Sequence, residues 1–359
     1  MDKNYCLVMA GGKGTRFWPE STSKKPKQYL SLLGDNTSLL SKTLNRFEGL
    51  VMPDDRFIVT VREQKELVLD SAENQISKDG VIFEPAGRNT GPCILLSLIY
   101  LLKNGADEND LVSIVPSDHV ILNEKGFQNS IRKGFKLASE TQSIVTIGIR
   151  PHFPHTGYGY IKRGKSSGEG YEVEEFREKP DFQTAKTYLA SGDFYWNAGM
   201  FMAPIKVLMS EFKNCSPELY QFVDLIKDSF EDEKKIEETY LKMPEISIDY
   251  AVMEKSKLVK VLEAEFDWND LGSWEAMESV IEPTENNTLI KQKGHYLDNS
   301  TGNIVYAPNK FVSLVNIKDL IVVVNDDVLM VLPKEDSQKV KEIVGHIKQN
   351  KDESLLSLI

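Results

Sequence analysis

The first residues that suggest chemistry form a glycine-rich loop near the start of the chain. The segment Gly11-Gly-Lys-Gly-Thr-Arg16 directly follows the apolar run Tyr5 to Ala10. Glycines let backbone N–H groups approach phosphate oxygens without interference from a Cβ. Arg16 and Lys27 add the positive charge that a polyphosphate requires. The loop therefore predicts a phosphate site, although a plain glycine turn with solvated basic neighbours would have the same composition.

Two common phosphate-binding patterns do not fit this loop. A dinucleotide fingerprint needs a third glycine where Phe17 stands, and a Walker A loop needs Gly-Lys-Ser/Thr, whereas Lys13 is followed by Gly14. A complete Walker A match occurs elsewhere, at Gly159 to Ser166. Glycines and then a strand pattern follow that match instead of a helix, so we interpret it as a chance match in a hairpin.

Acidic side chains follow two other apolar runs. Asp118 comes just after the strand-like segment Leu111–Val115, and Asp267 and Asp270 come just after Val259–Phe266. In open α/β sheets, ligands bind beyond the carboxyl ends of the strands. Mg²⁺ is usually held by one or two carboxylates together with substrate phosphate and water. Asp118 is therefore a candidate ligand, and on position alone either of the other two aspartates can be the second.

Three further segments carry groups suited to a base or a sugar. The loop from Glu84 to Thr90 contains charged and amide side chains that can read a base edge. Lys179 can hold a second phosphate, and Glu178 can accept hydrogen bonds from sugar hydroxyls. The segment Tyr195 to Gly199 is aromatic and rich in amides, as many sugar sites are. Taken singly, these patterns are also typical of solvated surface charges and of core packing around a turn.

The elements that position these loops alternate in type. Short apolar runs separated by helical patterns recur up to residue 148, which predicts an α/β fold with a Rossmann-like, mostly parallel sheet and flanking helices. A helix is expected from Pro217 to Glu238. Beyond residue 286 the pattern changes to short β segments and a final helix. We therefore expect two domains, residues 1–285 and residues 286–359, the second small and rich in β structure.

Composition excludes several classes of protein. The 359 residues are 41% hydrophobic and 27% charged, and 43 Lys and Arg against 54 Asp and Glu give a net charge of -11. A nucleic-acid-binding protein would carry a basic surface. The longest apolar stretch, Cys93–Leu102, is too short to span a bilayer. Three scattered cysteines form neither a zinc pattern nor a disulfide framework. We expect a cytoplasmic protein with no nucleic-acid or membrane partner.

Together and in this order, the motifs resemble those of the sugar-nucleotide pyrophosphorylases. The resemblance extends from about Tyr5 to Glu282 and rests on eight segments in register, with departures at Glu20, Arg177 and Ala198. The eight segments are Gly11–Pro19 with Pro26–Gln28, Glu84–Thr90, Pro116–His119, His155–Tyr160, Phe176–Pro180, Trp196–Phe201, Ser247–Glu254 and Trp268–Trp274.

The resemblance implies a specific reaction: transfer of GMP from GTP to mannose 1-phosphate, with Mg²⁺ as cofactor and pyrophosphate as the second product. It implies that Asp118 and Asp270, and not Asp267, hold the metal. It further implies a short left-handed β-helix at the C-terminal end. Longer relatives add a phosphomannose isomerase domain, for which this chain is too short, so we expect no isomerase activity. We also expect a homodimer.

The resemblance also implies which residues take part. The catalytic residues would be Arg16, Lys27, Asp118 and Asp270. The nucleotide-binding residues would be Ala10, Gly11, Gly12, Gly14, Thr15, Arg16, Glu84, Pro85, Arg88, Asn89, Thr90, Ser117 and Asp118. The sugar-phosphate-binding residues would be Gly159, Glu178, Lys179, Asn197, Gly199 and Asp249.

Two alternatives stay open at this point. The fold could serve a different nucleotide or a different sugar 1-phosphate, because the loop after Glu84 favours guanine only through the resemblance. The chain could also be a non-catalytic sensor of sugar nucleotides that has lost its metal site. The presence of both Asp118 and Asp270 argues against the sensor.

Overall fold

The computed structural model describes residues 3–12, 14–350 and 353–359. Its main body is a nine-stranded sheet with the strand order β3-β2-β1-β4-β8-β5-β9-β7-β6. The strands are β1 (Asn4–Met9), β2 (Arg56–Val61), β3 (Val81–Glu84), β4 (Leu111–Pro116), β5 (Ile144–Ile149), β6 (Tyr160–Ser167), β7 (Gly170–Arg177), β8 (Phe194–Pro204) and β9 (Val259–Glu263).

The sheet is parallel where the predicted phosphate loop leaves it. Strand β1 pairs in parallel with β2 and β4, and β2 pairs in parallel with β3. Strand β8 runs antiparallel between β4 and β5. Because β1 and β4 are parallel neighbours, Ala10 and Ser117 emerge at the same edge of the sheet. The predicted α/β class is therefore confirmed, with antiparallel strands added to the parallel set.

Both faces of the sheet are covered by apolar side chains. Along β1, Tyr5 and Leu7 belong to one hydrophobic cluster, whereas Cys6 and Val8 belong to another. This alternation follows from the two-residue period of a strand, and burial on both faces explains the continuous apolar sequence. The helices are α1 (Leu39–Asn45), α2 (Lys65–Ser71), α3 (Thr90–Lys103), α4 (Glu124–Thr141), α5 (Phe182–Ser191), α6 (Ile205–Cys215), α7 (Pro217–Tyr220), α8 (Val223–Lys227), α9 (Glu233–Tyr240), α10 (Val340–Asn350) and α11 (Glu353–Leu356).

Two local predictions can be compared directly with these elements. The single helix expected from Pro217 to Glu238 is wrong, because the segment forms the three short helices α7, α8 and α9. Asp232 starts the last of them by accepting a hydrogen bond from the Lys235 amide at 3.1 Å, an N-cap that interrupts the chain's helical path. The hairpin interpretation of the Walker A match is confirmed, because that segment lies in β6 and pairs with β7.

The C-terminal part coils between two small sheets. Strands β10, β12 and β14 pair in parallel in one sheet, β15 joins it antiparallel, and β11 and β13 pair in parallel in the other. From β10 to β14, successive strands thus alternate between the two sheets, as in a β-helix. The strands are β10 (Thr288–Ile290), β11 (Gly294–Asp298), β12 (Ile304–Tyr306), β13 (Phe311–Val315), β14 (Leu320–Val324) and β15 (Leu329–Pro333). No helix in the described part of the chain has the length and apolar character needed to cross a membrane.

One hydrophobic cluster joins the two parts of the chain. The Trp274 ring is fully buried, and its centroid lies 4.9 Å from that of Phe17 and 5.3 Å from that of Tyr306. Its indole N–H donates to the Trp18 carbonyl at 3.0 Å. The loop that follows the glycines therefore shares a core with the β-helix. The boundary at residues 285 and 286 stays a prediction.

Replacement of Trp274 should reveal how much this shared core stabilises the fold. We expect Trp274→Ala to lower the free energy of unfolding by about 3–5 kcal/mol, because a fully buried ring leaves a cavity. Leu329→Ala is the matched control, since that side chain is 67% exposed, and it should change stability by less than about 0.5 kcal/mol. Urea unfolding measures both values. A similar small effect for the two variants would contradict the shared core.

Candidate active site

The glycine loop is fixed against the turn that carries Lys27. Gly14 has a φ of 53°, and a Cβ there would lie 2.5 Å from the Lys27 Cβ and 2.8 Å from the Lys27 amide nitrogen. The buried Gln28 amide donates to the carbonyl oxygens of Ala10, at 2.7 Å, and Gly12, at 3.1 Å. Only glycine allows this close approach, so the loop's shape follows from its sequence. Lys13 lies outside the described residues.

Both predicted metal residues and part of the predicted phosphate site line one cavity of about 350 Å³, whereas the predicted residues Ala10, Gly11, Gly12 and Ser117 do not line it. It lies where the glycine loop, the end of β4 and the segment after β9 meet, so the structure brings the two aspartates together beside the glycine loop. Lining residues of this cavity, the polyphosphate cavity, are Gly14, Thr15, Arg16, Lys27, Asp118, His119, Asp270, Leu271 and Lys341.

The buried ammonium of Lys27 links the two aspartate segments. Its Nζ lies 2.9 Å from the Asp118 Oδ2 and also donates to the backbone carbonyl of Asp270. Burial is the largest single influence on Asp118 and would raise its pKa, but the charges of Lys27 and His119 and the hydrogen bond from Lys27 together lower the pKa below its usual value. Asp118 is therefore a carboxylate at neutral pH.

Asp270 and Asp267 have different surroundings. The Tyr158 hydroxyl donates to the Asp270 Oδ1 at 2.7 Å, which orients that carboxylate. Asp267 instead accepts hydrogen bonds from the backbone amides of Leu122, at 2.8 Å, and Asn123, at 2.6 Å. Asp267 thus organises the loop before α4, whereas Asp270 is in the polyphosphate cavity.

Helix α1 holds the backbone around Asp118. Thr43 donates from its hydroxyl to the Ser117 carbonyl at 3.2 Å, and the Arg46 guanidinium donates to the His119 carbonyl at 3.2 Å. Burial lowers the pKa of Arg46 to about 10, so it remains charged at neutral pH. The Trp268 indole donates to the His119 Nδ1 at 3.1 Å. These bonds fix the segment that carries Asp118.

A second cavity, of about 200 Å³, adjoins the first. His119 and Asp270 line both cavities, which places them at the junction. Five predicted sugar-phosphate residues line the second cavity, the sugar cavity: Gly159, Glu178, Asn197, Gly199 and Asp249. Its other lining residues are Met9, Thr90, Pro116, Gly157, Tyr158, Ala198, Phe201, Ile248 and Trp268.

Polar groups in the sugar cavity hold one another in place. The Asn197 side-chain amide donates to the Asp249 Oδ1 at 3.1 Å. A Cβ on Gly159 would lie 2.5 Å from the Glu178 Oε2, so a larger residue there would displace the Glu178 carboxylate. Lys179, the sixth predicted sugar-phosphate residue, does not line the cavity; it has a φ of 50°, and its ammonium lies 2.7 Å from the Glu178 carboxylate, which does line it. The cavity itself thus offers carboxylate and amide groups to a sugar phosphate.

The Glu84–Thr90 loop is only partly directed toward the site. Glu84 is buried beside Gly11 and accepts a hydrogen bond from the Tyr240 hydroxyl, and burial raises its pKa to about 7. Arg88 donates to the Met243 carbonyl at 2.8 Å. Within the loop, Asn89 caps α3 and Thr90 accepts from the Ile248 amide at 2.8 Å, whereas Pro85 lines a separate cavity. The loop is therefore anchored to the segment before the π-helical turn Asp249–Met253.

Several residues of the site were not assigned a role from sequence. Tyr158 and His119 lie inside motifs that the sequence singled out, so proximity to those motifs was an available signal. Tyr240 and Lys341 lie far from any motif, and no feature of the sequence points to them. Tertiary packing alone brings them to Glu84 and to the polyphosphate cavity.

The donor atoms in the polyphosphate cavity fit a hard divalent cation. Asp118 and Asp270 supply carboxylate oxygens, the ligand type that Mg²⁺ prefers. Among residues 3–12, 14–350 and 353–359, no cluster of three or more His, Cys, Asp or Glu side chains could hold a metal ion. Two carboxylates leave further coordination positions for a bound phosphate and water, the usual arrangement for Mg²⁺ in proteins.

Comparison with known proteins agrees with this geometry. The family profile described as "Nucleotidyl transferase" matches residues 5–287. The chain belongs to the nucleotidyl transferase family. A second profile, described as "MannoseP isomerase/GMP-like beta-helix domain", matches residues 297–347 of this nucleotidyl transferase. The first match contains all the predicted site residues, and the second contains most of the β-helix strands.

Named relatives cover nearly the whole nucleotidyl transferase chain. The mannose-1-phosphate guanylyltransferase of Escherichia coli K12 is 36% identical over 358 residues, which cover 96% of this chain and 74% of the relative. That of Klebsiella pneumoniae is 35% identical over 354 residues, with coverage of 96% and 74%. A crystal structure from Thermus thermophilus, described as a "mannose-1-phosphate geranyltransferase", has a TM-score of 0.88 and 32% identity, covering 96% of this chain and 99% of its own.

Two glycines of the loop provide a matched test of its geometry. We expect Gly14→Ala to destabilise the protein by at least about 1–2 kcal/mol, because alanine disfavours a positive φ and would also contact Lys27. Gly12→Ala should be near neutral, since a Cβ at Gly12 would have no described atom within 4 Å apart from its neighbours in the chain. Urea unfolding compares the two variants. Equal stability would show that the loop does not press against Lys27.

Asp249 should give the fold a measurable pH dependence. Burial and the nearby Glu178 carboxylate raise the pKa of Asp249 from 3.8 to about 6. The folded state thus binds this proton more tightly than the unfolded chain, so the contribution to stability is full below about pH 4 and is lost as the pH rises through about 6. We expect Asp249→Asn to have a higher Tm than the wild type at pH 8, with a smaller difference at pH 4.

Thermal unfolding at the two pH values measures this effect. Asp326→Asn is the control, because that aspartate is exposed on a turn, and its Tm should follow the wild type at both pH values. A difference between Asp249→Asn and the wild type that does not depend on pH would contradict the assignment.

Proposed function

We propose that the protein transfers GMP from GTP to the phosphate of mannose 1-phosphate and releases pyrophosphate. The observation that carries this proposal is the pair of adjoining cavities that share His119 and Asp270. One cavity is bordered by a glycine loop and cationic side chains, and the other by amide and carboxylate groups. Two anionic substrates can therefore meet at one edge of the sheet. The names of the relatives support guanine and mannose as the base and the sugar.

In the proposed reaction, an oxygen of mannose 1-phosphate attacks the α-phosphorus of GTP, and pyrophosphate leaves in line. The attacking oxygen is already ionised, so no side chain has to remove a proton. His119 is consistent with this, since its Nδ1 accepts from Trp268 and burial lowers its pKa. The protein's task is to position two polyanions and stabilise the developing charge.

The side chains divide this task between them. Arg16 faces the polyphosphate, and Lys27 keeps Asp118 and Asp270 together. Lys179 and Glu178 would hold the phosphate and hydroxyls of the sugar. Mg²⁺, held by Asp118 and Asp270, would supply additional neutralisation of charge on the phosphate oxygens.

Guanine recognition is assigned to the Glu84–Thr90 loop. Glu84 lies against Gly11, where the base end of a nucleotide held by the glycine loop would be located. Two hydrogen bonds hold the loop in place for that role. Arg88 donates to the Met243 carbonyl, and the Ile248 amide donates to Thr90.

We place the protein in the cytoplasm as a homodimer within this proposal. The cysteines Cys6, Cys93 and Cys215 are free, which fits a reducing compartment. Sedimentation analysis tests the oligomeric state, and a single species at the monomer mass would contradict the dimer.

The proposed reaction is tested by pyrophosphate release with a panel of nucleotides and sugar 1-phosphates, with and without Mg²⁺. We expect the fastest release with GTP and mannose 1-phosphate and little release without a divalent cation. A faster reaction with another pair would change the substrate assignment. No release with any pair would favour a sensor of sugar nucleotides.

The metal assignment is tested by aspartate substitutions. We expect Asp118→Asn and Asp270→Asn each to lower kcat by about 10²–10³-fold, because each removes a charged group from the reacting centre. Asp267→Asn is the control on the same segment as Asp270. It should lose stability through its bonds to Leu122 and Asn123 but keep most of its turnover. Near wild-type kcat in either of the first two variants would refute the metal assignment.

The role of Lys179 is tested by a comparison of two Michaelis constants. We expect Lys179→Ala to raise the KM for mannose 1-phosphate by about tenfold, as loss of a charge-assisted contact predicts, and to change the KM for GTP far less. Lys165→Ala, at an exposed position in the β6–β7 hairpin, should change neither constant. Equal increases in both constants for Lys179→Ala would reject its role in the sugar cavity.

A further inference from the structure

One wall of the polyphosphate cavity comes from the far end of the chain. Among its described lining residues, Lys341 alone lies beyond residue 286; the others belong to the part of the chain that carries the large sheet. Lys341 is in the first turn of α10, the helix that follows the β-helix. The C-terminal part of the chain therefore contributes directly to this cavity.

Helix α10 is held in place by apolar packing. Val340, Val344 and Ile347 are buried on one face of the helix, in the cluster that also contains Phe17 and Trp18. Those two aromatic residues directly follow Arg16 in the sequence. The glycine loop is thus continuous with the surface on which α10 packs, and Lys341, next to the buried Val340, is carried to the rim of the cavity.

The last residues of the chain add polar contacts to the same surface. The Trp18 indole donates to the Leu358 carbonyl at 2.8 Å, and the Ser23 hydroxyl donates to the Ile359 carbonyl at 2.7 Å. The last residues of the chain are therefore hydrogen-bonded to the segment that follows the glycine loop. Together with the packing of Val344 and Ile347, these bonds fix the backbone position from which the Lys341 side chain extends to the cavity.

The charges of the cavity show why another cation matters there. Three of the described residues that line it carry a cationic side chain, and the ammonium of one of them, Lys27, is already paired with Asp118. Lys341 is exposed and makes no ion pair with any residue in the described parts of the chain. Arg16 and Lys341 are thus the cations available to a ligand, and each can form a charge-assisted bond to phosphate.

The two cavities also indicate which phosphates Lys341 faces. The sugar cavity and the polyphosphate cavity meet at His119 and Asp270. In an in-line displacement the nucleophile and the leaving group lie on opposite sides of the phosphorus. If the nucleophile enters from the sugar cavity, the leaving group departs toward Arg16 and Lys341.

We propose that Lys341 binds the pyrophosphate portion of the nucleotide and the pyrophosphate product, so that helix α10 contributes a residue to the active site. This inference rests on the proposed function for the direction of the reaction. Lys341 is a binding residue for the leaving group and takes no part in holding the sugar phosphate.

The test uses inorganic pyrophosphate as the probe and the full-length protein. We expect Lys341→Met to weaken the Kd for pyrophosphate about tenfold in isothermal titration calorimetry and to raise the KM for pyrophosphate in the reverse reaction similarly. The KM for mannose 1-phosphate in the forward reaction should change less than twofold. Lys341→Arg should restore most of the pyrophosphate affinity, because the charge is kept.

Lys348→Met is the matched control, since Lys348 is exposed two turns further along the same helix. It should bind pyrophosphate like the wild type, and thermal unfolding should show that all three variants remain folded. Equal pyrophosphate affinity in Lys341→Met and Lys348→Met, or no binding of pyrophosphate by the wild type, would overturn the inference.

The inference and the proposed function fail in different ways. Pyrophosphate binding that depends on Lys341, without formation of GDP-mannose, would refute the function and retain the binding site. Formation of GDP-mannose with unchanged pyrophosphate affinity in Lys341→Met would refute only the role of Lys341.

Discussion

The contact on which the site depends is that of the Lys27 ammonium with Asp118 and with the Asp270 backbone. Two carboxylates from distant parts of the chain repel each other when they share one cavity. A buried positive charge between their segments offsets that repulsion, and the aspartates in turn compensate the desolvated lysine. Gly14 is part of the same constraint, because only a residue without a Cβ can pass so close to Lys27. The shape of the glycine loop and the placement of the two aspartates therefore both depend on the position of Lys27.

Further hydrogen bonds hold in place the segments that surround this contact. Gln28 fixes the glycine loop from below, helix α1 fixes the Asp118 segment through Thr43 and Arg46, and Tyr158 orients Asp270. Catalysis by positioning requires this kind of support, because small displacements of the reacting groups strongly reduce the rate. The β-helix takes part in it as well, since its core is continuous with Phe17, Trp18 and Trp274.

Sequence reasoning predicted the parts of the site that follow from strand ends. Residues after β1 and β4 had to emerge together once a parallel sheet was inferred, and Asp118 lies beside the glycine loop for that reason. The choice between Asp267 and Asp270 could not be made from sequence position, because both follow the same strand and the difference lies in their hydrogen-bond partners and in which of them lines the cavity. Lys341 and Tyr240 could not be found, since their placement depends on how remote helices pack. The three-helix segment from residue 217 to 240 was missed because its caps and turns override an ordinary helical composition.

We propose that Asp118 and Asp270 hold one divalent ion between them in the polyphosphate cavity, and on this the other roles depend. Crystals of the protein grown with GDP-mannose and Mn²⁺, a substitute for Mg²⁺ with a usable X-ray signal, test it most directly through an anomalous difference map. We predict a single strong peak, within coordination distance of both carboxylates and of a phosphate oxygen of the ligand. A ligand bound in the cavities with the manganese peak at Asp267, at another site, or at only one of the two aspartates would contradict it.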